Sequence, residues 1–278
     1  MQSRPLPSRR AFAGFLTAGA GLAVLTACTP ESSTASAEVS TATPSPSAAM
    51  ASEPAAVTPA AAASSTPASP PPSSAAATGF SLTDPVSPWV VVNKHRPLNP
   101  PNYVPADLVQ PAVRLAVSGE ASMVNSTTAS AAEKMFGAAA AEGVVMTLAS
   151  GYRSYTTQIA TYNGHVAGSG QAAADRASAR PGFSEHQTGW AFDIADGGGA
   201  CSFQPCFADQ PAAIWAKANA HKYGFVVRYP WMFHDTTGYF YESWHLRYIG
   251  VDAATDMATR GISTLEQYFG LEAAPDYL

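Results

Sequence analysis

The chain has 278 residues, 46% of them hydrophobic and 13% charged, with a formal net charge of −5. Residues 80–278 keep that charge, with 12 basic and 17 acidic side chains, once Arg4, Arg9, Arg10, Glu31, Glu38 and Glu53 are set aside. No Lys/Arg run or basic stripe occurs in this part, which argues against nucleic acid as a partner, because phosphate neutralisation requires one.

In chain order, Ser8-Arg9-Arg10-Ala11-Phe12 leads into seventeen uncharged residues, 11–27, mostly Ala, Gly, Leu and Phe. Such a run is short and Gly/Ala-rich for a membrane span of about 20 residues, and suits the core of an export signal. The paired arginines resemble a twin-arginine signal, and Leu25-Thr26-Ala27-Cys28 looks like a lipobox, in which the Cys28 thiol receives a diacylglycerol. Two acyl chains suffice for stable anchoring, so residues 1–28 are expected to export the protein and tether it to the outer face of the cytoplasmic membrane. In positions 29–78, 44 of 50 residues are Ala, Ser, Thr or Pro, and none is aromatic. A stretch without bulky side chains cannot offset roughly 1 to 2 kcal/mol of backbone entropy per ordered residue. Residues 29–79 therefore read as a disordered linker, and 80–278 as a single folded domain.

Within that domain, Val90-Val91-Val92 predicts a short strand running into a proline-stiffened segment, Lys94 to Pro101. Residues 130–142 carry apolar side chains at helical spacing, with Ser130-x-x-Glu133 as a capping box and Gly143 as the stop. A buried strand is expected at 144–148, a helix at 154–166, a Gly/Ala-rich loop at 168–181 and a strand at 190–195. Pro211 opens a further helix that Gly224 ends, followed by strands at 225–229 and 239–248 and helices at 251–260 and 262–269. Helices and strands mix without regular βαβ repetition and without an internal repeat. The expected fold class is α+β, a single domain whose mainly antiparallel sheet is flanked by helices.

Besides Cys28 the chain has only Cys201 and Cys206, five apart. An exported domain suggests a disulfide between them, and soft metal ligation is the competing possibility. His186 and Asp193 are seven apart with Gly189 between them, and extended chain would hold them roughly 20 Å apart. If they share a site, a loop must return His186 beside the strand carrying Asp193. Glu242 and His245 are three apart, an odd offset that sends them to opposite faces of a regular strand. A shared site therefore demands a bulge at Ser243-Trp244. Two His and one Asp suit zinc with a fourth position open, and Glu242 would then serve as general base. By spacing alone the same residues could equally be structural or surface groups.

Four motifs narrow the reading: Ser150-Gly151-Tyr152-Arg153-Ser154 with Gln158; Ser184-x-His186-x-x-Gly189-x-Ala191-x-Asp193; Tyr223-Gly224-Phe225-x-x-Arg228-Tyr229-Pro230; and Glu242-x-Trp244-His245-x-Arg247-Tyr248. In this order and spacing the chain resembles the VanY-type D-alanyl-D-alanine carboxypeptidases, zinc peptidases of the hedgehog/DD-peptidase fold, over about residues 91–250. Ser243 stands where that family commonly has proline, which removes a fixed φ from the bend. The resemblance implies one Zn²⁺ held by His186, Asp193 and His245, with Glu242 as base and then acid to the leaving amine. Arg153 would face the substrate as an electrostatic stabiliser, and Gln158, Ser184 and Tyr152 would help hold the terminal carboxylate. The implied activity is removal of the terminal D-Ala from peptidoglycan stem peptides or their precursors by a monomer. The alternatives are L,D-cleavage of tetrapeptide stems and a non-hydrolytic, zinc-containing cell-wall binding module.

Overall fold

The computed structural model describes residues 79–278. The expected export signal, the lipidation site Cys28 and nearly all of the linker lie outside the described residues. Among the described residues no helix is long and apolar enough to cross a membrane.

The centre is a four-stranded sheet built from β3 (Met146–Ser150), β4 (Ala191–Asp196), β5 (Phe225–Tyr229) and β6 (Glu242–Tyr248). Its spatial order is β3-β4-β6-β5 and every pairing is antiparallel. A separate two-stranded ribbon pairs β1 (Leu108–Val109) with β2 (Val124–Asn125). The α+β expectation with a mainly antiparallel sheet holds.

Side chains alternate across a strand, and here the two faces do different work. Phe192 and Ile194 of β4, Leu148 of β3, Phe225 of β5 and Leu246 of β6 point to one face. They form the main core with α1 (Ser126–Ala141) and α4 (Pro211–Asn219), through Ala132, Met135, Phe136, Ala139, Ala212 and Trp215. The residues between them, Asp193 on β4 and His245 and Arg247 on β6, are left to the other face. A second core joins Trp89 and Val91 of the N-terminal segment to Ile249, α6 (Val251–Arg260) and α7 (Leu265–Phe269).

Several sequence expectations need correction. Val90-Val91-Val92 is not a strand, although its alternation is real: Val91 enters the second core while Val90 and Val92 join Trp190 in a third. The Val90 carbonyl accepts instead from the Arg247 guanidinium at 2.8 Å, so a buried side chain takes the place of a neighbouring strand. The helix expected at 130–142 begins at Ser126, because the Asn125 side chain accepts from the backbone N–H groups of Thr127 and Thr128. Such an Asn cap satisfies the first free donors. Glu133, the presumed partner in a capping box, accepts from Ala112 N–H at 2.7 Å.

The loop expected at 168–181 contains α3 (Gln171–Ala177). Gly170, with φ of 79°, separates it from α2 (Tyr155–Ser169), and its Ala-rich sequence is strongly helix-forming. The last strand starts at Glu242 rather than 239, behind the short α5 (His234–Thr237), and α7 starts at Leu265 rather than 262. The helix from Pro211 ends at Asn219 and a 3₁₀ turn, Ala220–Tyr223, carries the chain to the Gly224 stop; the ribbon strands β1 and β2 were not expected, and the other expected elements match or fall within three residues.

Candidate active site

The polar face of the sheet forms the floor of a cavity of about 480 Å³. Register builds its centre: Ser150 pairs with Asp193, and Asp193 pairs with His245, so three adjacent strands place these side chains in one row. His186 reaches the row from a 3₁₀ turn, Glu185–Thr188, that ends at Gly189 with φ of 70°. A Cβ on Gly189 would lie 2.8 Å from the Asn125 nitrogen, so both the left-handed backbone and the close approach require glycine. Glu242 joins because the β5–β6 register slips: Val227 pairs with Leu246 but Tyr229 pairs with Glu242, so β6 takes four steps where β5 takes two. The irregularity expected at Ser243-Trp244 is there, and it turns Glu242 and His245 into the same cavity despite their odd spacing.

His186, Asp193 and His245 each offer an atom within 4.8 Å of the others, and all three residues are buried. His186 Nε2 is 3.3 Å from Asp193 Oδ2, and His245 Nδ1 is 3.1 Å from Asp193 Oδ1. A tetrahedral ion with ligands at 2.0–2.1 Å holds its donors about 3.3 Å apart. The outward nitrogens are engaged elsewhere: His186 Nδ1 donates to the Gly151 carbonyl at 2.7 Å and His245 Nε2 donates to Glu185 Oε2 at 3.3 Å. Each ring thus turns a lone pair inward, the usual outer support of a metal-ligating histidine. Asp193 Oδ1 is buried without a hydrogen-bond donor. A buried carboxylate with one imidazole nitrogen beside each oxygen, and one of those oxygens orphaned, is the donor set of a cation site, and two nitrogens with one oxygen suit zinc.

Electrostatics point the same way. Burial opposes ionisation of Asp193, yet His186 and His245 outweigh it and hold the carboxyl well below the usual range. Burial opposes protonation of His245, but Asp193 and Glu185 raise its pKa to about 9. In the absence of an ion, a proton is drawn to the place a cation would occupy. Glu242 Oε2 lies 3.8 Å from His245 Nδ1, and its side chain is 17% exposed. Burial, aided by Asp193 and Glu185 and opposed by His245 and Arg153, pushes Glu242 up to about 8.

Arg153 lines the cavity, its guanidinium donating to Gln158 Oε1 at 3.0 Å and Ser150 Oγ at 3.2 Å. Of the three residues expected to hold a terminal carboxylate, only Ser184 lines the cavity. Gln158 is fully buried behind Arg153, and its amide donates to Ala179 O and Ser178 Oγ. Tyr152 is buried with its phenol near Glu120 and Tyr103, and lies outside the lining. His234, at 53% side-chain exposure, is not part of the site. The far wall is aromatic, with Phe203 edge-on to Trp244 at 6.1 Å. The expected disulfide joins Cys201 and Cys206 across a Cα separation of 5.6 Å and closes the loop that presents Phe203.

Sequence reasoning missed Glu185. It is fully buried, and Arg228 Nε and Arg247 Nη1 donate to it at 2.8 and 3.0 Å. Burial opposes its ionisation, but Arg228, Arg247 and His245 hold its carboxyl well below the usual range. The available signal was that Glu185, Arg228 and Arg247 all lie inside the quoted motifs, where charged residues in otherwise apolar strands call for partners.

Comparison with known proteins agrees with this geometry. The family model for VanY, D-alanyl-D-alanine carboxypeptidase, matches residues 121–251. YodJ of Bacillus subtilis (strain 168), which carries a carboxypeptidase name, is 39% identical over 191 residues, spanning 68% of this chain and 69% of YodJ. A D-alanyl-D-alanine carboxypeptidase of Enterococcus faecalis (strain ATCC 700802 / V583) is 35% identical over 149 residues, 50% of this chain and 53% of that protein. Among solved structures, the LD-carboxypeptidase LdcB superposes with a TM-score of 0.62 at 39% identity, covering 67% of this chain and 87% of LdcB. A mutant of the D,D-pentapeptidase VanY in complex with Zn(II) gives 0.54 at 31%, covering 64% and 97%. Fold, cavity and relatives define a peptide-bond hydrolase of the carboxypeptidase class. Within that class, the chain belongs to the VanY D-alanyl-D-alanine carboxypeptidase family.

Proposed function

We propose that this chain is a zinc-dependent D-alanyl-D-alanine carboxypeptidase that removes the terminal D-Ala from peptidoglycan stem peptides. The observation that carries the reading is the placement of Glu242 beside, but outside, the His186–Asp193–His245 triangle, with Arg153 lining the same cavity. His186 through Nε2, Asp193 through Oδ1 or Oδ2, and His245 through Nδ1 would hold one Zn²⁺. When bound, the ion supplies Lewis acidity, making water more acidic and a carbonyl more electrophilic. Glu242 takes the proton of the attacking water on its carboxylate and passes it to the departing amine nitrogen. Arg153, fixed by Gln158 and Ser150, faces the negative charge that develops on the carbonyl oxygen. Ser184 offers its hydroxyl to the terminal carboxylate, while Gln158 acts on substrate only through Arg153. Phe203 and Trp244 exclude water from the opposite side.

The L,D-carboxypeptidase reading is favoured by one observation: LdcB and the L,D-carboxypeptidase DacB of Streptococcus are both 39% identical to this chain, against 31% for the VanY structure. Incubating the purified protein with muropeptide pentapeptide and tetrapeptide, with and without a chelator, separates the two by mass spectrometry. Chelator-sensitive conversion of penta- to tetrapeptide supports D,D cleavage, and tetra- to tripeptide moves the assignment to L,D. Zinc binding without cleavage of either would leave a binding module.

We propose an exported, lipid-anchored address, which the sequence and the disulfide both support. A Cys201–Cys206 bridge belongs to an oxidising compartment, and export with lipidation at Cys28 would place the domain against the cell wall. Membrane-fraction protein that becomes soluble on Cys28→Ser substitution is the expected result, and unchanged partitioning would refute the anchor.

A further inference from the structure

Glu185 has no role in the reaction as derived above, yet it sits where three charged networks meet. Its Oε1 accepts from Arg228 Nε and Arg247 Nη1, which leaves Oε2 to face His245 Nε2 alone. Arg228 is in turn gripped by Glu266 of α7 through two hydrogen bonds of 3.0 and 2.7 Å. Asn93 of the N-terminal segment donates to the same Glu266 at 3.0 Å. Arg247 is pinned by the carbonyls of Pro88 and Val90 at 2.9 and 2.8 Å. Two carboxylates and two guanidinium groups balance in charge, so Glu185 requires no further cation and can take a neutral imidazole N–H.

We infer that Glu185 is a positioning residue of the metal centre: it fixes His245 in the tautomer and ring orientation that present Nδ1 to the ion. The inference rests on the zinc reading above. A ring whose Nε2 lacked this acceptor could carry its proton on Nδ1 or rotate about χ2, and either change withdraws the lone pair from the site. The network's anchors Asn93 and Glu266 lie outside residues 121–251, the part matched by the family model. Arg247 holds Glu185 independently of that branch, so the contact of Glu185 with His245 does not depend on Glu266.

The test measures Zn²⁺ dissociation constants and the visible absorption of the Co²⁺-loaded protein for the full chain and three variants. Glu185→Gln keeps the shape but places an amide N–H₂ against either His245 or the arginines. Glu185→Asp keeps the charge for the arginines and shortens the reach to His245, which covers the case where the amide variant does not fold. Glu266→Gln removes a buried carboxylate from the same network without touching His245, so it reports a purely structural effect. The expected result is a Zn²⁺ dissociation constant raised about 10- to 100-fold in the folded Glu185 variants, with an altered Co²⁺ spectrum, while Glu266→Gln stays close to wild type in both. Unchanged affinity and spectrum in the Glu185 variants, or equal weakening in Glu266→Gln, would overturn the inference while leaving the zinc reading intact. Failure of the wild-type chain to bind Zn²⁺ would overturn both.

Discussion

Glu242→Gln exchanges a carboxylate for an amide of the same shape at the acidic group on the Nδ1 side of His245. Its Oε2 is 3.8 Å from His245 Nδ1 and is not among the three converging donors, so the ion should bind with wild-type affinity. The amide cannot accept a proton from water, and loss of a positioned general base costs about 10²- to 10⁴-fold in rate. A second readout follows from the Glu242 pKa of about 8 in the metal-free site. An acid whose folded pKa is raised binds its proton more tightly in the native state, so its ionisation opposes folding. That penalty is absent below about pH 4.5 and grows as pH rises to about 8, reaching up to about 5 kcal/mol if the whole shift is expressed. Metal-free Glu242→Gln should therefore melt above metal-free wild type at pH 9 and together with it at pH 4. Turnover on muropeptides, zinc content and thermal melts after chelation give the three measurements. Wild-type turnover in the variant would refute the assigned base, and a lower melting temperature than wild type at pH 9 would refute the electrostatic argument.

Other consequences can be checked independently. His245, raised to about 9 in the metal-free site, contributes stability that is complete below pH 6.5 and lost as pH rises through 9, on the order of 3 kcal/mol. Melting of the chelated protein should fall over that window, whereas zinc-loaded protein should stay level, and parallel curves would contradict a shared cation site. Arg153→Ala should lower kcat/KM about 10²- to 10³-fold with zinc retained, and Gln158→Leu, which removes one of its two acceptors, should lower it less. A Gln158 variant as damaged as Arg153→Ala would mean that Gln158 meets substrate directly. Cys201→Ser should cost about 2 kcal/mol in the chain-entropy account of a ring this small, or about 4 to 8 °C in melting temperature for a domain of this size. A change below 1 °C would show that the loop carrying Phe203 is held by other contacts.

Much of this protein is decided locally and can be read without coordinates. The Pro211 helix start and the Gly143 and Gly224 stops depend on one residue's backbone limits. The clustering of His186, Asp193 and His245 was legible through the four family-like motifs, spacing alone leaving it open, and the bulge that a shared site with Glu242 demands is supplied by the β5–β6 register. Tertiary structure alone decided which hydrogen bonds compete. Val90–Val92 has strand-forming residues, but the Val90 carbonyl is taken by Arg247 and the Val91 carbonyl by Arg96, and Ser130-x-x-Glu133 has a capping pattern, but Asn125 caps the helix earlier and Glu133 is drawn to Ala112. Gln158 and Tyr152 sit in a family-like motif, yet burial turns one behind Arg153 and the other toward Glu120. The Glu185 network was the least legible, since the partners of Glu185 lie 43 to 62 positions away along the chain. Whether a buried charge is a defect or an anchor depends on what folds against it, and periodicity carries no record of a partner that distant.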